Sequence, residues 1–251
     1  MTDLIGRLAA IIHTLSNTLV DSPSANAVLA IALTLGAFMA GNRLFALLRS
    51  PILLPPVVIA ACLLGLGLTI LTVSYADYHK GAQWLTVLLG PATVALGVPL
   101  YQQMHHIRAL WRPILFTLPI AALLAAGYAM IIAAAFGASP EVVASVAPKS
   151  VTAPIAIGIT EQLGGSVSLM MGGLLITGVV ATVFVDLAVR WMNIRDPRII
   201  GFALGLNGHA IGTARAFELG TTAGAFASLG MGLTGIFTAL TLPFVLRVFG
   251  F

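Results

Sequence analysis

Residues 140–162 have the sequence PEVVASVAPKSVTAPIAIGITEQ, an apolar stretch with two prolines and a lysine near its centre. Pro148 and Pro154 lack a backbone donor, and each proline ring clashes with the preceding turn of a helix. A continuous helix through both prolines is therefore not expected. Because the stretch is long and apolar enough to enter a bilayer, it predicts a helix that breaks inside the membrane around Lys149.

Two other apolar stretches carry similar interruptions. Residues 84–103 are interrupted by Gly90-Pro91, Gly97 and Pro99. Residues 199–217 contain Asn207, Gly208, His209, Gly212 and Arg215, with a break expected near Gly212. A break at membrane depth exposes N–H and C=O groups that lipid cannot satisfy, so it is tolerated only in a packed interior or beside a polar cavity. The three interruptions therefore predict one shared site, built from residues 90–101, 147–158 and 207–216.

The composition of the whole chain agrees with a membrane environment. Of 251 residues, 59% are hydrophobic, whereas 12 are Lys or Arg and 8 are Asp or Glu. The mean hydropathy is +1.05, which excludes an ordinary soluble enzyme. Basic residues occur singly or in short groups between apolar runs, so the net charge of +4 predicts membrane orientation and no nucleic-acid partner.

The hydrophobic pattern predicts an all-α integral membrane protein with about seven or eight apolar segments. Some of these are broken or re-entrant, as in transporters. Residues 1–26 are expected to form an interfacial helix, and residues 27–251 the transmembrane domain. Uninterrupted spans are predicted at residues 27–48, 52–74, 113–136, 166–190 and 222–248.

Basic connectors predict the topology. Residues 43–49, 105–112 and 190–198 are rich in Arg and His, so all three are expected on the cytoplasmic side. Three apolar stretches separate residue 112 from residue 190, but two cytoplasmic ends require an even number of crossings. We therefore expect residues 140–162 to be re-entrant.

Two cations in the broken segments are candidate anion ligands. Lys149 either binds or gates an anion, or extends its ammonium group towards water at a segment end. Arg215 either holds a carboxylate with both guanidinium nitrogens or anchors a helix end through Glu218, three residues further on. No equally placed acid accompanies these two cations in the broken segments, so the cavity is expected to be net positive and to favour anions. Asp186 is expected to pair with Arg190 in its own helix.

Polar neutral side chains complete the predicted site. His209 either relays a proton or is a satisfied structural histidine. Hydroxyl groups either bond the substrate or bond back to their own helix. The coupling ion is left open between a proton and sodium, and no cofactor or metal ligand set is predicted. The candidate substrate-binding residues are Thr93, Lys149, Ser150, Thr152, Asn207, His209, Thr213 and Arg215.

Catalytic and metal motifs are missing from the sequence. It contains no HExxH, GxSxG or P-loop pattern, so no enzymatic activity is expected. Lys149 and Ser150 are adjacent, and adjacent side chains on a helix point in different directions, which argues against a catalytic dyad. The single cysteine, Cys62, excludes an intramolecular disulfide.

Three blocks of the sequence resemble the signature blocks of the LrgB/CidB family of bacterial membrane proteins. They are LLGPATVALGVPLYQQ at 88–103, APKSVTAPIA at 147–156 and GHAIGTARAFELG at 208–220. Their order and spacing also match, and the similarity extends from about residue 27 to the C-terminus. The resemblance implies a multi-pass protein of the bacterial inner membrane.

The resemblance implies two alternative functions. Some members are named holin-like or antiholin-like and are linked to murein hydrolase export and cell lysis beside a small LrgA/CidA-like partner. Related proteins transport pyruvate, glycolate or glycerate. Polar groups and proline breaks in three separate segments favour a selective site for a small monocarboxylate over a simple membrane lesion. A homo-oligomer in contact with lipid is also expected, since the Gly-rich final span offers a packing face.

Overall fold

The computed structural model describes residues 10, 13, 14, 20, 22–48, 54–95 and 97–248. Every regular element among these residues is a helix, which confirms the all-α prediction. Most of the expected interfacial helix at 1–26 lies outside the described residues, and that expectation stays a prediction. The helices are α1 Pro23–Leu47, α2 Pro56–Ile70, α3 Tyr75–Val87, α4 Leu89–Ala95, α5 Gly97–Gln102, α6 Met104–Ala109, α7 Trp111–Ala135, α8 Pro140–Val146, α9 Ala153–Gln162, α10 Val167–Trp191, α11 Pro197–Leu219 and α12 Thr221–Val248.

Among the described residues, four helices are long and apolar enough to cross a bilayer: α1, α7, α10 and residues Thr221–Leu246 of α12. They match four of the five predicted spans. The fifth, expected at 52–74, is not confirmed as a span, because the helix in this region, α2, has only 15 residues. At 1.5 Å per residue it is about 22 Å long, less than the ~30 Å hydrocarbon core. The helix begins only after Pro55 and ends before Thr72, whose φ is +56°.

Residues 1–93 form one compact unit, whose described part is built on α1, α2 and α3. Close helix approach at Gly41 brings α1 against the Pro56 carbonyl and Ala60 of α2. The side-chain amide of Asn26 donates to the Asp77 carbonyl at 3.0 Å, which ties α1 to α3. These contacts hold α1 against α2 and α3.

Residues 94–251 form a second unit, which contains most of the predicted site. The apolar stretch at residues 84–103 is interrupted as expected, because α3 ends at Val87 and α4 begins at Leu89. Pro91 lies in the first turn of α4. A proline is tolerated there since the N–H groups of a first turn have no helical partner. Leu96, between α4 and α5, lies outside the described residues.

Residues 140–162, which we call hairpin 1, consist of α8, a turn and α9. Helix α8 ends before Pro148, and α9 begins after Thr152 with Pro154 in its first turn. The Ser166 N–H donates to the Ser145 hydroxyl at 2.7 Å, and Pro140 and Gln162 line the same cavity of about 230 Å³. The two ends of hairpin 1 therefore lie together, in agreement with the predicted re-entrant segment.

Residues 197–219, which we call hairpin 2, are the two halves of α11 on either side of His209. His209 has φ +40° and ψ −128°, which breaks the helix. A Cβ atom added at Gly212 would overlap the carbonyl group of Leu204. In a straight helix these two residues would be about 12 Å apart along the axis. The second half of α11 therefore folds back along the first, about 18 Å from the start of hairpin 2.

The two hairpins approach from opposite ends of the same helices. Hairpin 1 follows α7 and precedes α10, whereas hairpin 2 follows α10 and precedes α12. Ala223 of α12 contacts Gly201 of hairpin 2, while Leu242, near the other end of α12, packs with Ala147 and Ile159 of hairpin 1. The two hairpins therefore pack against opposite ends of α12.

Two predicted cytoplasmic connectors lie near each other in this unit. Asp196 caps α11 and accepts hydrogen bonds from the Arg198 guanidinium at 2.6–3.1 Å. This guanidinium, with a smaller contribution from the nearby charge of His106, lowers the pKa of the Asp196 carboxyl below its usual value. The proximity of His106 and Asp196 agrees with the prediction that residues 105–112 and 190–198 share one side.

Candidate functional site

The turn of hairpin 1 presents Lys149 to helix α7. Its ammonium group donates to the Tyr128 hydroxyl at 2.8 Å and to the Ser150 hydroxyl at 3.2 Å. No carboxylate of the described residues lies within salt-bridge distance of this lysine. The positive charge is therefore positioned but not neutralised, as an anion ligand requires.

An open cleft of about 560 Å³ contains Lys149. Its polar lining comes from three helices and a turn: Tyr128 of α7, Lys149 of hairpin 1, Thr177 of α10 and Asn207 of hairpin 2. The cleft thus has lining residues from two of the three predicted segments, 147–158 and 207–216, and the binding role of these residues stays a prediction. The apolar wall of the cleft comes from one face of α10 and consists of Ile176, Val180, Ala181, Phe184, Val185 and Ala188.

Asn207 lies at the end of the first half of α11. Its side-chain amide donates to the Ala203 carbonyl at 2.9 Å, one helical turn earlier. This bond uses the nitrogen and leaves the amide oxygen without a bond to the described part of the chain. Asn207 is thus oriented by its own helix and contributes an oriented amide to the cleft.

His209 is buried at the break of hairpin 2, with 1% of its surface exposed. Its Nε2 atom lies 2.9 Å from the Leu174 carbonyl oxygen of α10. A Cβ atom added at Gly178 would lie 2.6 Å from the imidazole Cε1 atom, so the ring fits only because α10 has a glycine there. The structure therefore fixes the ring against the middle of α10.

The predicted hydroxyl ligands are placed differently from one another. Ser150 is buried beside Lys149, and Thr152 is buried at the start of α9 with no side-chain capping bond. Thr213 instead bonds the Met231 sulfur at 3.6 Å and does not line the cleft. The side chain of Thr93 lies outside the described residues, so its proposed role stays a prediction.

Arg215 lies away from the cleft and in an ion-pair cluster. Its guanidinium is 3.3 Å from a carboxylate oxygen of Asp186 and 2.8 Å from one of Glu218. The Glu218 contact is the helix-end anchor that the sequence left open. The Asp186 contact corrects the expected pair with Arg190, because the folding back of hairpin 2 brings Arg215 alongside α10. Lys149 is accordingly the cation that lines the cleft.

Sequence reasoning missed Tyr128 and Thr177. Both belong to helices that were predicted as plain spans, at 113–136 and 166–190. One feature of the sequence could have identified Tyr128. It lies well inside the α7 span, whereas tyrosine in membrane helices is usually found at the membrane interface. Thr177 carried no such signal, since hydroxyl groups in membrane helices commonly bond their own backbone.

Comparison with known proteins supports this architecture at the level of a family. The LrgB-like family model matches residues 34–248. Protein YxaC of Bacillus subtilis is 35% identical over 89% of this chain and 96% of its own. Holin-like protein CidB of Staphylococcus epidermidis is 29% identical over 89% of this chain and 97% of its own.

Antiholin-like protein LrgB of Bacillus mycoides is 27% identical over 88% of this chain and 96% of its own. No solved structure matches the chain. The family model, the long relatives and the four apolar helices agree with one another. The chain belongs to the LrgB-like family and is a multi-pass membrane protein.

Proposed function

We propose that this protein carries small monocarboxylates, of the pyruvate, glycolate and glycerate class, across the membrane. The observation that carries the proposal is the cleft in which Lys149 of hairpin 1 and Asn207 of hairpin 2 meet. Broken re-entrant segments that meet at a polar cavity are a common way to build a transport site. The proposal includes no chemical step and no cofactor.

The charge of the cleft favours an anion. Lys149 bonds hydroxyl groups, whereas Arg215 is already occupied by Asp186 and Glu218. An ammonium group in a low-dielectric region attracts a carboxylate more strongly than it would in bulk water. The prediction of a positive site therefore rests on Lys149 and no longer on two cations.

The lining favours a small substrate. Tyr128, Thr177 and Asn207 offer hydrogen bonds on one part of the cleft, and Ile176, Val180 and Phe184 offer an apolar wall. A short carbon chain with one carboxylate matches that division between polar and apolar surface. The proposed coupling ion is either a proton or sodium, the same two alternatives that the sequence analysis named.

The outward apolar faces are proposed to contact lipid and a second subunit. Leu187 and Trp191 of α10, which do not line the cleft, are 55% and 89% exposed. Gly172 and Gly173 on the same helix have open space where a side chain would be. Such surfaces permit a homo-oligomer, or association with a small LrgA/CidA-like membrane protein.

A holin-like or antiholin-like role is the second candidate function. The relatives named CidB and LrgB carry those descriptions, and their names support this role better than they support carboxylate transport. In this role the chain would influence lysis and murein hydrolase export. It would then need apolar helices that assemble, and Lys149 would not be essential to it.

Two measurements on the same proteoliposomes separate the candidates. Counterflow of labelled pyruvate, glycolate and glycerate measures selective transport, and release of an encapsulated dye measures a lesion. Lys149→Met is the test variant. Lys80→Met is the control, because Lys80 is an exposed lysine that pairs with Asp77.

Saturable counterflow that is lost in Lys149→Met and kept in Lys80→Met supports the carrier. Dye release that is equal in the wild type and both variants, without counterflow of any of the three acids, supports the holin-like role and contradicts the carrier.

A further inference from the structure

The cleft that contains Lys149 is larger and more apolar than a three-carbon acid requires. Its volume is about 560 Å³, and six of the ten residues that line it are apolar residues of α10. Clefts of roughly 300–1,000 Å³ hold ligands of drug size. An acid such as pyruvate therefore leaves much of this cleft to water or to hydrocarbon.

The apolar residues of α10 form one continuous wall along the cleft. They recur at intervals of four residues, with neighbours beside two of them: Ile176, Val180, Ala181, Phe184, Val185 and Ala188. Positions four apart lie above one another on a helix, so these side chains share one face. Thr177 is the one polar residue that α10 contributes to the described lining. From Thr177 to Ala188 the helix rises about 16 Å.

Lys149 lies towards one end of this wall. Two residues further along hairpin 1, Val151 packs in a cluster with Met170 and Leu174 of α10. Both of these α10 residues precede Ile176, where the wall begins, so hairpin 1 meets α10 at that end. The ammonium group is therefore near the start of the wall, and the wall extends away from it towards the C-terminal end of α10.

The described part of the chain leaves the wall partly uncovered. Ile176, Val180 and Phe184 are 66%, 42% and 67% exposed. Their apolar surface is continuous with the site of a cation that has no carboxylate partner among the described residues. A ligand that matches both features has a carboxylate at one end and a hydrocarbon tail at the other.

We propose that the cleft binds aliphatic monocarboxylates with longer tails, of the hexanoate and heptanoate kind, more tightly than three-carbon acids. The carboxylate contacts Lys149, and the tail lies along the α10 wall. This inference rests on the proposed function and extends its substrate class. A short acid satisfies the ammonium group but leaves most of the wall uncovered, whereas each added methylene group covers more of it.

The test is inhibition of labelled pyruvate counterflow in proteoliposomes that contain the full-length wild type. The inhibitors are unlabelled propionate, butyrate, pentanoate, hexanoate and heptanoate. Complete burial of a methylene group increases affinity about four-fold, and a wall on one side gives about half of that free energy, or about two-fold. The inhibition constant should therefore fall about 16-fold over the four methylene groups from propionate to heptanoate.

The failure of this inference and the failure of the carrier give different results. Equal inhibition constants across the series overturn the inference and leave the carrier in place. Absence of pyruvate counterflow in the wild type overturns both. A lipid acyl chain is the alternative occupant of the wall, and a wall that lipid keeps filled would also give equal inhibition constants.

An uncharged inhibitor tests whether the tail acts in the cleft or through the bilayer. Heptanamide has the same tail as heptanoate but offers Lys149 no negative charge. We expect it to inhibit at least ten-fold more weakly than heptanoate, since a hydrogen bond to a charged group contributes about that factor or more. Equal inhibition by the two compounds overturns the inference.

Two substitutions assign the tail to α10. Ala181→Phe and Ala188→Phe place a bulky ring on the wall, about one turn and about three turns beyond Thr177. The gain in affinity should stop at a shorter chain in Ala181→Phe than in Ala188→Phe. Leu187→Phe is the control, because Leu187 is exposed on the same helix and does not line the cleft. It should keep the wild-type ratio of the propionate and heptanoate inhibition constants.

The same ratio in the wild type and all three variants would contradict the assignment to α10. If Ala181→Phe does not fold, Ala188→Phe decides. A smaller ratio of the propionate and heptanoate inhibition constants in Ala188→Phe than in Leu187→Phe supports the assignment, and equal ratios contradict it.

Discussion

The ammonium nitrogen of Lys149 lies 2.8 Å from the phenolic oxygen of Tyr128 and 4.4 Å from the centre of its ring. The hydroxyl group accepts a hydrogen bond, and the ring face adds a cation–π contact. Both contacts orient the lysine without cancelling its charge. A carboxylate in the same place would form an internal salt bridge and compete with an incoming anion.

We predict that Tyr128→Phe weakens substrate binding. The variant keeps the ring and loses the hydroxyl group, and a hydrogen bond to a charged group contributes about 1.5–3 kcal/mol. Because Tyr128 is half exposed, we expect the smaller end of that range, which raises KM roughly ten-fold. Substrate concentration series in proteoliposomes measure the change. Tyr101→Phe, at an exposed tyrosine of the same unit, is the control and should leave KM unchanged. An unaltered KM in Tyr128→Phe would contradict the proposed orientation of Lys149.

We predict that Gly178→Ala displaces His209 and impairs transport. The added methyl group would lie 2.6 Å from the imidazole Cε1 atom and 2.8 Å from Nε2. Overpacking of this kind costs about 1–3 kcal/mol, because the ring or the helix must move. Thermal melting in detergent and counterflow measure stability and activity.

The matched control for this change is Gly172→Ala on the same helix. No heavy atom lies within 4 Å of the position of its added Cβ. We expect no loss of stability or of uptake in the control. If both alanine variants behave like the wild type, hairpin 2 does not pack against α10 in the way described.

We predict that Asp186 and Arg215 are energetically coupled. Asp186 is nearly buried and Arg215 is about one-third exposed, so removal of either partner leaves a poorly solvated charge. An unsatisfied buried group costs about 1–3 kcal/mol, and more if it is charged. Asp186→Asn and Arg215→Gln should each lower the melting temperature, and the double variant should lose less than the sum of the two.

Glu218→Gln provides the comparison for this cycle. Glu218 is about half exposed, and an exposed ion pair contributes only ~0–1 kcal/mol. Its replacement should therefore change the melting temperature little. Strictly additive losses in the Asp186 and Arg215 variants would show that the two charges do not stabilise each other.

We predict that both ends of hairpin 1 face one side of the membrane and that the start of hairpin 2 faces the other. With Cys62→Ser as background, Glu141→Cys and Glu161→Cys should react with an impermeant maleimide from the outer side. Arg195→Cys should react from the cytoplasmic side, since its connector is basic. All three positions are exposed. Labelling of residues 141 and 161 from opposite sides would mean that hairpin 1 crosses the bilayer.

The breaks in the chain were predictable where proline specifies them. Pro148 and Pro154 remove donors and clash with the preceding turn, and the helix is interrupted between Val146 and Ala153. The break at His209 has no proline. An interruption in this stretch was predicted from its glycine and polar residues, but it was expected near Gly212 and lies three residues earlier, at His209. The return path depends on contact between Gly212 and Leu204, which no local pattern encodes.

The partners of the charged residues were less predictable. A helix offers Arg215 a partner at Glu218, and sequence spacing identifies that candidate. The bond to Asp186 joins residues 29 positions apart and depends on how hairpin 2 packs against α10. The contact between Tyr128 and Lys149 was not predicted for the same reason, because 21 residues separate the two in the chain. Pairs of this kind are set by tertiary packing and are not visible in hydrophobic periodicity.

Close contact between hairpin 2 and α12 has a consequence for biosynthesis. Backbone atoms of Ala223 and Ala227 occupy the space beside Gly201 and Gly205, so the two elements fit only as a unit. Hairpin 2 carries an asparagine, a histidine, two arginines and a glutamate, which oppose insertion of the segment on its own. Because α12 follows hairpin 2 in the chain, the insertion of hairpin 2 can be completed only after α12 has been synthesised. A truncation before α12 would leave a polar hairpin outside the bilayer and present it to membrane proteases.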